Sequence, residues 1–248
     1  MSPQPPPENQ PDSAPEPSPN AIKPQPKPSL LKPAGLLKSS LVVGMMTMLS
    51  RVLGLIRDVV IAHFIGASAA ADAFFVAFKI PNFMRRLFAE GAFSQAFVPV
   101  LTEYQSRRSV EAVRALLDRV AGVLGGVLLV FTSVAVIGAP VLASLFAPGW
   151  AIAQPEKFGL ATEMIRITFP YLLLISLTAF YGSVLNTYGQ FAVPAVTPVL
   201  LNLCLILATY YFTPWFEEPL MALAWGVLLA GVTQLAFQLP FVMRLGLL

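Results

Sequence analysis

The chain has 248 residues, of which 56% are hydrophobic and only 12% are charged. A soluble domain carries roughly twice this charged fraction. The mean hydropathy of +0.71 therefore indicates a membrane protein. The net charge of +3 does not indicate a nucleic-acid-binding protein, because the basic residues lie within or beside apolar runs and form no solvated basic face. A single cysteine, Cys204, excludes a disulfide framework and a cysteine-based metal site.

Residues 1–34 differ in composition from the rest of the chain. Proline recurs every two or three residues, and aromatic residues are absent. Such a segment buries too little apolar surface to offset the entropy cost of ordering it, so we predict a disordered, partly polyproline II tail. The segment also lacks the pattern of a signal peptide. A cytoplasmic tether or spacer is the favoured role, and a ligand for a proline-binding domain is the alternative.

The remaining residues, 35–248, contain six apolar segments that are long enough to cross the roughly 30 Å hydrocarbon core of a bilayer. The segments are 36–64, 70–98, 120–146, 165–186, 193–212 and 220–239. A polar, amphipathic connection, 102–119, joins the second segment to the third. The sequence therefore predicts an all-α polytopic membrane protein with six transmembrane helices.

Basic residues are distributed unequally among the predicted loops. The N-terminal region up to Lys38 and the connection 102–119 carry four lysines and four arginines, respectively, and the C-terminal end carries Arg244, whereas the basic residues of the other loops are balanced by glutamates. Loops rich in lysine and arginine stay on the cytoplasmic side of a membrane. We therefore expect a multi-pass membrane protein with both termini in the cytoplasm.

Ionisable residues are concentrated in one apolar stretch, 48–104. They include Arg51, Arg57, Asp58, His63, Asp72, Lys79, Arg85, Arg86 and Glu90. Because ionisable groups are costly at membrane depth, they indicate a functional cavity by default. The arginines and the lysine outnumber the acids, which suits an anionic ligand, and arginine pairs well with phosphate oxygens. No nucleophile–base arrangement, metal-ligand spacing or glycine-rich phosphate loop accompanies them, so we predict binding and release without an enzyme reaction, a cofactor or a metal ion.

The spacing of these residues limits how they can meet. On a helix, Arg51 and Asp58 share one face, while Arg57 points about 120° away. Both arginines would therefore reach one point only if the helix bent at Gly54. The alternative interpretation is a set of structural ion pairs within the membrane. The candidate pairs are Arg57 with Asp58, Asp72 with Lys79, and Arg86 with Glu90.

Four runs carry a specific resemblance to a known family. They are TMLSRVLGLIRD, ADAFFVAFKIPNFMRRLFAEGAFSQAFVPVL, ITFPYLLLISL and LNTYGQFAVPAVTPVLLN. Over residues 36–245 the chain resembles the lipid II flippase family, the MurJ (MviN) branch of the multidrug/oligosaccharidyl-lipid/polysaccharide exporter superfamily. The resemblance implies transport of the undecaprenyl-diphosphate-linked peptidoglycan precursor from the cytoplasmic to the periplasmic leaflet.

The same resemblance implies a set of site residues. The required cavity positions of the family correspond to Arg51, Arg57, Arg85 and the acidic Asp72. Asp58 and Glu90 match charged positions that are associated with the central cavity and its gating. The expected binding partners are lipid II and the surrounding membrane lipids.

The extent of the resemblance raises a further expectation. Members of the family contain a second lobe that the runs above do not cover, and alternating access needs one lobe to move against the other. We therefore expect a fragment, one half of a split gene or a homo-oligomerising half-transporter, with a second six-helix lobe as its partner. A related polysaccharide-lipid or multidrug exporter and a non-transporting membrane fragment are the alternatives.

Overall fold

The structure, a computed structural model, describes residues 33–65, 72–74, 77–79, 83 and 92–248. These residues form helices and their connections, without a β-strand, which confirms the all-α prediction. We number the longer helices in chain order. They are α1 (Pro33–Ile65), α2 (Ala92–Arg107), α3 (Val110–Ile137), α4 (Ala139–Phe146), α5 (Trp150–Ala153), α6 (Pro155–Thr168), α7 (Tyr171–Thr187), α8 (Ala192–Tyr211) and α9 (Pro219–Arg244). A 3₁₀ turn, Thr213–Trp215, precedes α9.

Five segments of the described chain are long and apolar enough to cross a membrane. They are Ser39–Phe64, Val110–Ile137, Pro155–Thr187, Ala192–Tyr211 and Pro219–Arg244. Each of them overlaps one of the predicted spans. The remaining predicted span, 70–98, lies largely outside the described residues, and its described parts, including the beginning of α2, are helical.

The connection between the second and third predicted spans is shorter than expected. Only two residues separate α2 from α3, and the third span begins at Val110 instead of residue 120. Ser109 explains the start of α3, because its hydroxyl accepts a hydrogen bond from the backbone N–H of Ala112. Val113 and Leu117 are buried on one face of α3, while the charged residues of this stretch are exposed. The amphipathic character was therefore that of helix ends, not of a linker.

Prolines and a glycine determine where the following spans are interrupted. Predicted span 120–146 is divided at Gly138, whose backbone N–H closes α3, and Pro140 lies in the first turn of α4. Predicted span 165–186 begins much earlier, at Pro155, and Pro170 separates α6 from α7. A proline has no N–H to continue a helical ladder, but it fits the first turn of a new helix. The charged residues near 156–166 are therefore helical, not part of a loop.

The helices pack in an order that leaves α1 at the periphery. α1 contacts chiefly α8, α8 packs against α9, and α9 packs against α7. Gly226 on α9 permits close packing, since an added Cβ would lie 2.6 Å from the Cβ of Ala208 on α8. No residue in the most apolar window of α1 is buried, whereas more than half of the window in Pro155–Thr187 is buried. Most of the α1 surface therefore remains available for lipid, ligand or another chain.

Two apolar clusters fill the interior and distinguish the two ends of the bundle. One contains Tyr171, Leu205 and Leu223. The other joins α2 and α3 to the end of α9 through Leu101, Val113 and Val242. The second cluster therefore brings the arginine-rich α2–α3 junction and the Arg244 end of α9 to the same end. The glutamates at 156, 163, 217 and 218 lie around hollows at the other end of the bundle.

Candidate functional site

The contact between α1 and α8 is organised around one buried amide, Asn202. Its Nδ2 donates to the backbone carbonyl of Ser50 at 2.9 Å and lies 3.4 Å from the Ser50 hydroxyl. Its Oδ1 accepts a hydrogen bond from Nη1 of Arg57, also at 2.9 Å. A Cβ on Gly54 would be 3.7 Å from Nδ2, an ordinary van der Waals distance, so the amide lies directly against this position of α1. We call these residues, together with Asp58, the Arg57 cluster.

The spacing along α1 explains why these residues meet α8. Ser50, Gly54 and Arg57 follow one another at four and three residues, which places them on one helix face. Ile61 continues this face and packs against the first apolar cluster. Asn202 is only 6% exposed, so its amide needs hydrogen-bond partners, and α1 supplies a donor and an acceptor.

The guanidinium of Arg57 is held from two sides. Nε and Nη2 donate to Oδ1 of Asp58 at 3.0 and 2.7 Å, and Nη1 donates to Asn202. The Arg57 side chain is 25% exposed and that of Asp58 is 64% exposed. The predicted pairing of Arg57 with Asp58 is thus present in the structure, and Asn202 adds a partner that the pairing did not include.

Arg51 and Arg57 have different surroundings on α1, which continues as one helix through Gly54. Arg51 shares its face with Asp58, as the spacing predicted, and both are exposed. Among the described residues, none forms an ion pair or a hydrogen bond with the Arg51 side chain.

Asp72 lies at a different place from the Arg57 cluster. Its Oδ2 accepts a hydrogen bond from Nζ of Lys157, at the beginning of α6, over 2.8 Å. The predicted pairing of Asp72 with Lys79 is therefore wrong, and Lys79 is exposed. Arg57 precedes the end of α1 by eight residues, or about 12 Å of helix. Asp72, by contrast, contacts the glutamate-rich end of the bundle.

Two predicted site residues, Arg85 and Glu90, lie outside the described residues, and so does the predicted pair of Glu90 with Arg86. Two partners of the predicted residues were not foreseen. Asn202 had a signal in the sequence, since an amide within an apolar span needs partners. Lys157 had none, because it was expected in a loop whose charges balanced one another.

Comparison with known proteins gives this arrangement a context. Residues 61–248 match the family described as "Lipid II flippase MurJ". The chain belongs to the MurJ family. It is 49% identical over 219 residues to the probable lipid II flippase MurJ of Vibrio cholerae. The aligned region covers 86% of this chain and 42% of that relative. The lipid II flippase MurJ of Burkholderia cenocepacia is 46% identical over 205 residues, covering 83% of this chain and 40% of the relative.

A solved MurJ structure has the same fold. It is a lipid II flippase MurJ in an inward closed conformation, with a TM-score of 0.70 and 30% sequence identity. The match covers 82% of this chain and 42% of the solved one. The chain thus spans about two fifths of the length of the MurJ proteins that it matches. Family and candidate spans together make it a multi-pass protein of the inner membrane.

Proposed function

We propose that this chain is the N-terminal lobe of a flippase for lipid II, the lipid-linked peptidoglycan precursor. The family match and the extent of the matched region support this proposal. So does the peripheral position of α1, a largely apolar helix that carries Arg51 and Arg57. The observation that carries the proposal is the fixed guanidinium of Arg57, whose geometry suits a diphosphate.

The hydrogen bonds of Arg57 leave part of its guanidinium available. An arginine has five N–H donors. Asp58 and Asn202 take three of them, one each from Nε, Nη1 and Nη2. One N–H on Nη1 and one on Nη2 remain, and two such donors are what a phosphate needs for a bidentate contact. Asp58 and Asn202 also restrict the side chain, so little rotamer entropy is lost when an anion binds.

The charges around this position favour an anion. Lys157 neutralises Asp72 away from the Arg57 cluster, and Asp58 is the acid that pairs with Arg57. Arg51 therefore contributes an additional positive charge on the exposed face of α1. We propose that Arg51 and Arg57, with Arg85, contact the diphosphate, and that Asp58, Asp72 and Glu90 balance and orient these arginines. Such a site binds and releases its ligand and requires no bond to break.

The orientation and partners of the lobe follow from the same proposal. Its arginine-rich end would face the cytoplasm, where the positive-inside rule puts such residues. Both termini would then be cytoplasmic, with residues 1–34 as a proline-rich tail before a transmembrane lobe, 35–248. We propose that a second lobe packs on the exposed surface of α1 and completes the lipid path. The second candidate is a membrane fragment that takes no part in transport even beside a second lobe, and the coverage of only 42% of the Vibrio cholerae relative favours it.

Complementation in a strain depleted of its own lipid II flippase tests the proposal. The chain would be expressed alone and together with the remaining part of a MurJ relative, the part that this chain does not cover. We expect growth only with both parts, because alternating access requires one lobe to move against a second lobe. No growth in either case, with both parts present in the membrane, would refute the transport function of this chain.

A pair of arginine variants tests the site within the rescuing combination. Arg57→Ala should abolish growth, because it removes the guanidinium and leaves Asn202 without its charged donor. Arg166→Ala is the matched control, since Arg166 is exposed near the glutamate-rich end of the bundle. Equal tolerance of the two substitutions would show that the diphosphate does not bind at Arg57.

A further inference from the structure

We propose that Lys157 is a positioning residue, which fixes Asp72 and through it the segment that follows α1. This inference rests on the proposed function only in taking Asp72 as a residue needed for transport. The geometry of three side chains, Asp72, Lys157 and Trp150, supports the positioning itself. None of the sequence patterns pointed to Lys157.

The ion pair between Lys157 and Asp72 is asymmetric in its exposure. The Lys157 side chain is 13% exposed, whereas that of Asp72 is 65% exposed, and Nζ and Oδ2 are 2.8 Å apart. A lysine rarely occupies such a buried position without a partner. Because the ammonium contacts one carboxylate oxygen and the carboxylate remains largely exposed, Asp72 can be held by Lys157 and still reach another group.

Trp150 holds the ammonium from a second direction. Its ring lies 4.2 Å from Nζ of Lys157, within the range of a cation–π interaction. Gly149, with a left-handed φ of 92°, makes the turn that begins α5 and brings the indole to this position. Trp150 packs against the first apolar cluster, so the ring is itself restrained. Trp150 therefore restrains Lys157 independently of Asp72.

The surroundings explain why this lysine is needed. Lys157 lines a hollow of about 660 Å³ together with Glu156, Glu163 and Glu218. Lys157 is the only basic residue among the described residues that line this hollow, so without its ammonium the glutamates would lack an opposite charge and Asp72 would lose its partner. The next residues, Ala73 and Phe74, are buried in the first apolar cluster. The ion pair thus joins the segment after α1 to α6, while α1 itself packs chiefly on α8.

Trp150 supplies a spectroscopic test that does not depend on transport. The chain has three tryptophans, so replacing Trp215 and Trp225 by phenylalanine leaves Trp150 as the single emitter. In this background, reconstituted in lipid nanodiscs, Lys157→Gln and Asp72→Asn should each change the emission of Trp150. Lys157→Arg should preserve it, because the guanidinium can contact both the ring and the carboxylate. Arg107→Gln is the control, since Arg107 forms an exposed ion pair with Glu103 near the other end of the bundle.

Growth in the two-part complementation assay gives the second measurement. Lys157→Gln should lower rescue roughly tenfold, a usual size for coupled charged neighbours, and Lys157→Arg should restore it. Unchanged emission in Lys157→Gln, or rescue by Lys157→Gln equal to that of the parent, would overturn the positioning role. Full rescue by Asp72→Asn with altered emission would instead refute the need for Asp72 and leave its attachment to Lys157 intact.

Discussion

Replacing Asn202 by alanine tests the contact that holds Arg57. The substitution removes a hydrogen bond from a charged donor, Arg57 Nη1, and a neutral one to the carbonyl of Ser50. In soluble proteins these are worth about 1.5–3 and about 0.5–1.5 kcal/mol. Between transmembrane helices such bonds average only about 0.6 kcal/mol. Since Arg57 is partly exposed and water can replace one partner, we expect a loss of about 2 kcal/mol in the free energy of unfolding.

Thermal unfolding of the purified chain in detergent, followed by near-UV circular dichroism, measures this loss. About 2 kcal/mol corresponds to a fall in Tm of roughly 4–8 °C for a chain of this size. The Tm of Asn202→Asp should fall less than that of Asn202→Ala. The new carboxylate still accepts a hydrogen bond from Arg57, although it cannot donate one to Ser50. Asn186→Ala is the matched control, since Asn186 is exposed near the end of α7. Equal Tm values for the two alanine variants would refute the reasoning that Asn202 joins α1 to α8.

Three further substitutions have expected outcomes. Arg57→Lys should reduce rescue in the two-part complementation assay, because an ammonium lacks the planar fork that contacts two partners and a phosphate together. Gly226→Ala should lower the free energy of unfolding by about 1–3 kcal/mol through overpacking against Ala208, whereas Gly159→Ala, with no atom near its added Cβ, should not lower it. Ser109→Ala should lower the same free energy by about 0.5–1 kcal/mol, since it removes the N-cap of α3, and denaturation of the purified variants measures both effects.

The sequence predicted the fold class well because the apolar runs are long. A segment that must satisfy its own backbone groups in lipid becomes a helix, so each described span overlaps a predicted one. The predicted limits were less accurate where polar residues flank the apolar run. Ser109 caps a helix that continues into charged sequence, and Pro155 begins a helix where hydropathy predicted a loop. Hydropathy predicts which segment lies in the bilayer, whereas capping residues determine where the helix begins.

The site was predictable in part for the same reason. Arg51, Arg57 and Asp58 were recognised because charges on an apolar helix are costly, and their faces followed from the helical period. The partners were not predictable from spacing. Nothing along the chain indicates that Arg57 forms a hydrogen bond with Asn202. Nor does it indicate that Asp72 pairs with Lys157, since Lys79 is closer in sequence.

The sequence alone determined that this is a helical membrane protein of the MurJ type with cationic residues on its first helix. The composition and the run of charged residues suffice for that, since both are properties of the linear chain. Only the tertiary structure decided that Arg57 is held by the buried amide of Asn202. It also decided that Asp72 forms its ion pair with Lys157 on α6. These contacts join residues that are 145 and 85 positions apart, and packing of the helices brings them together.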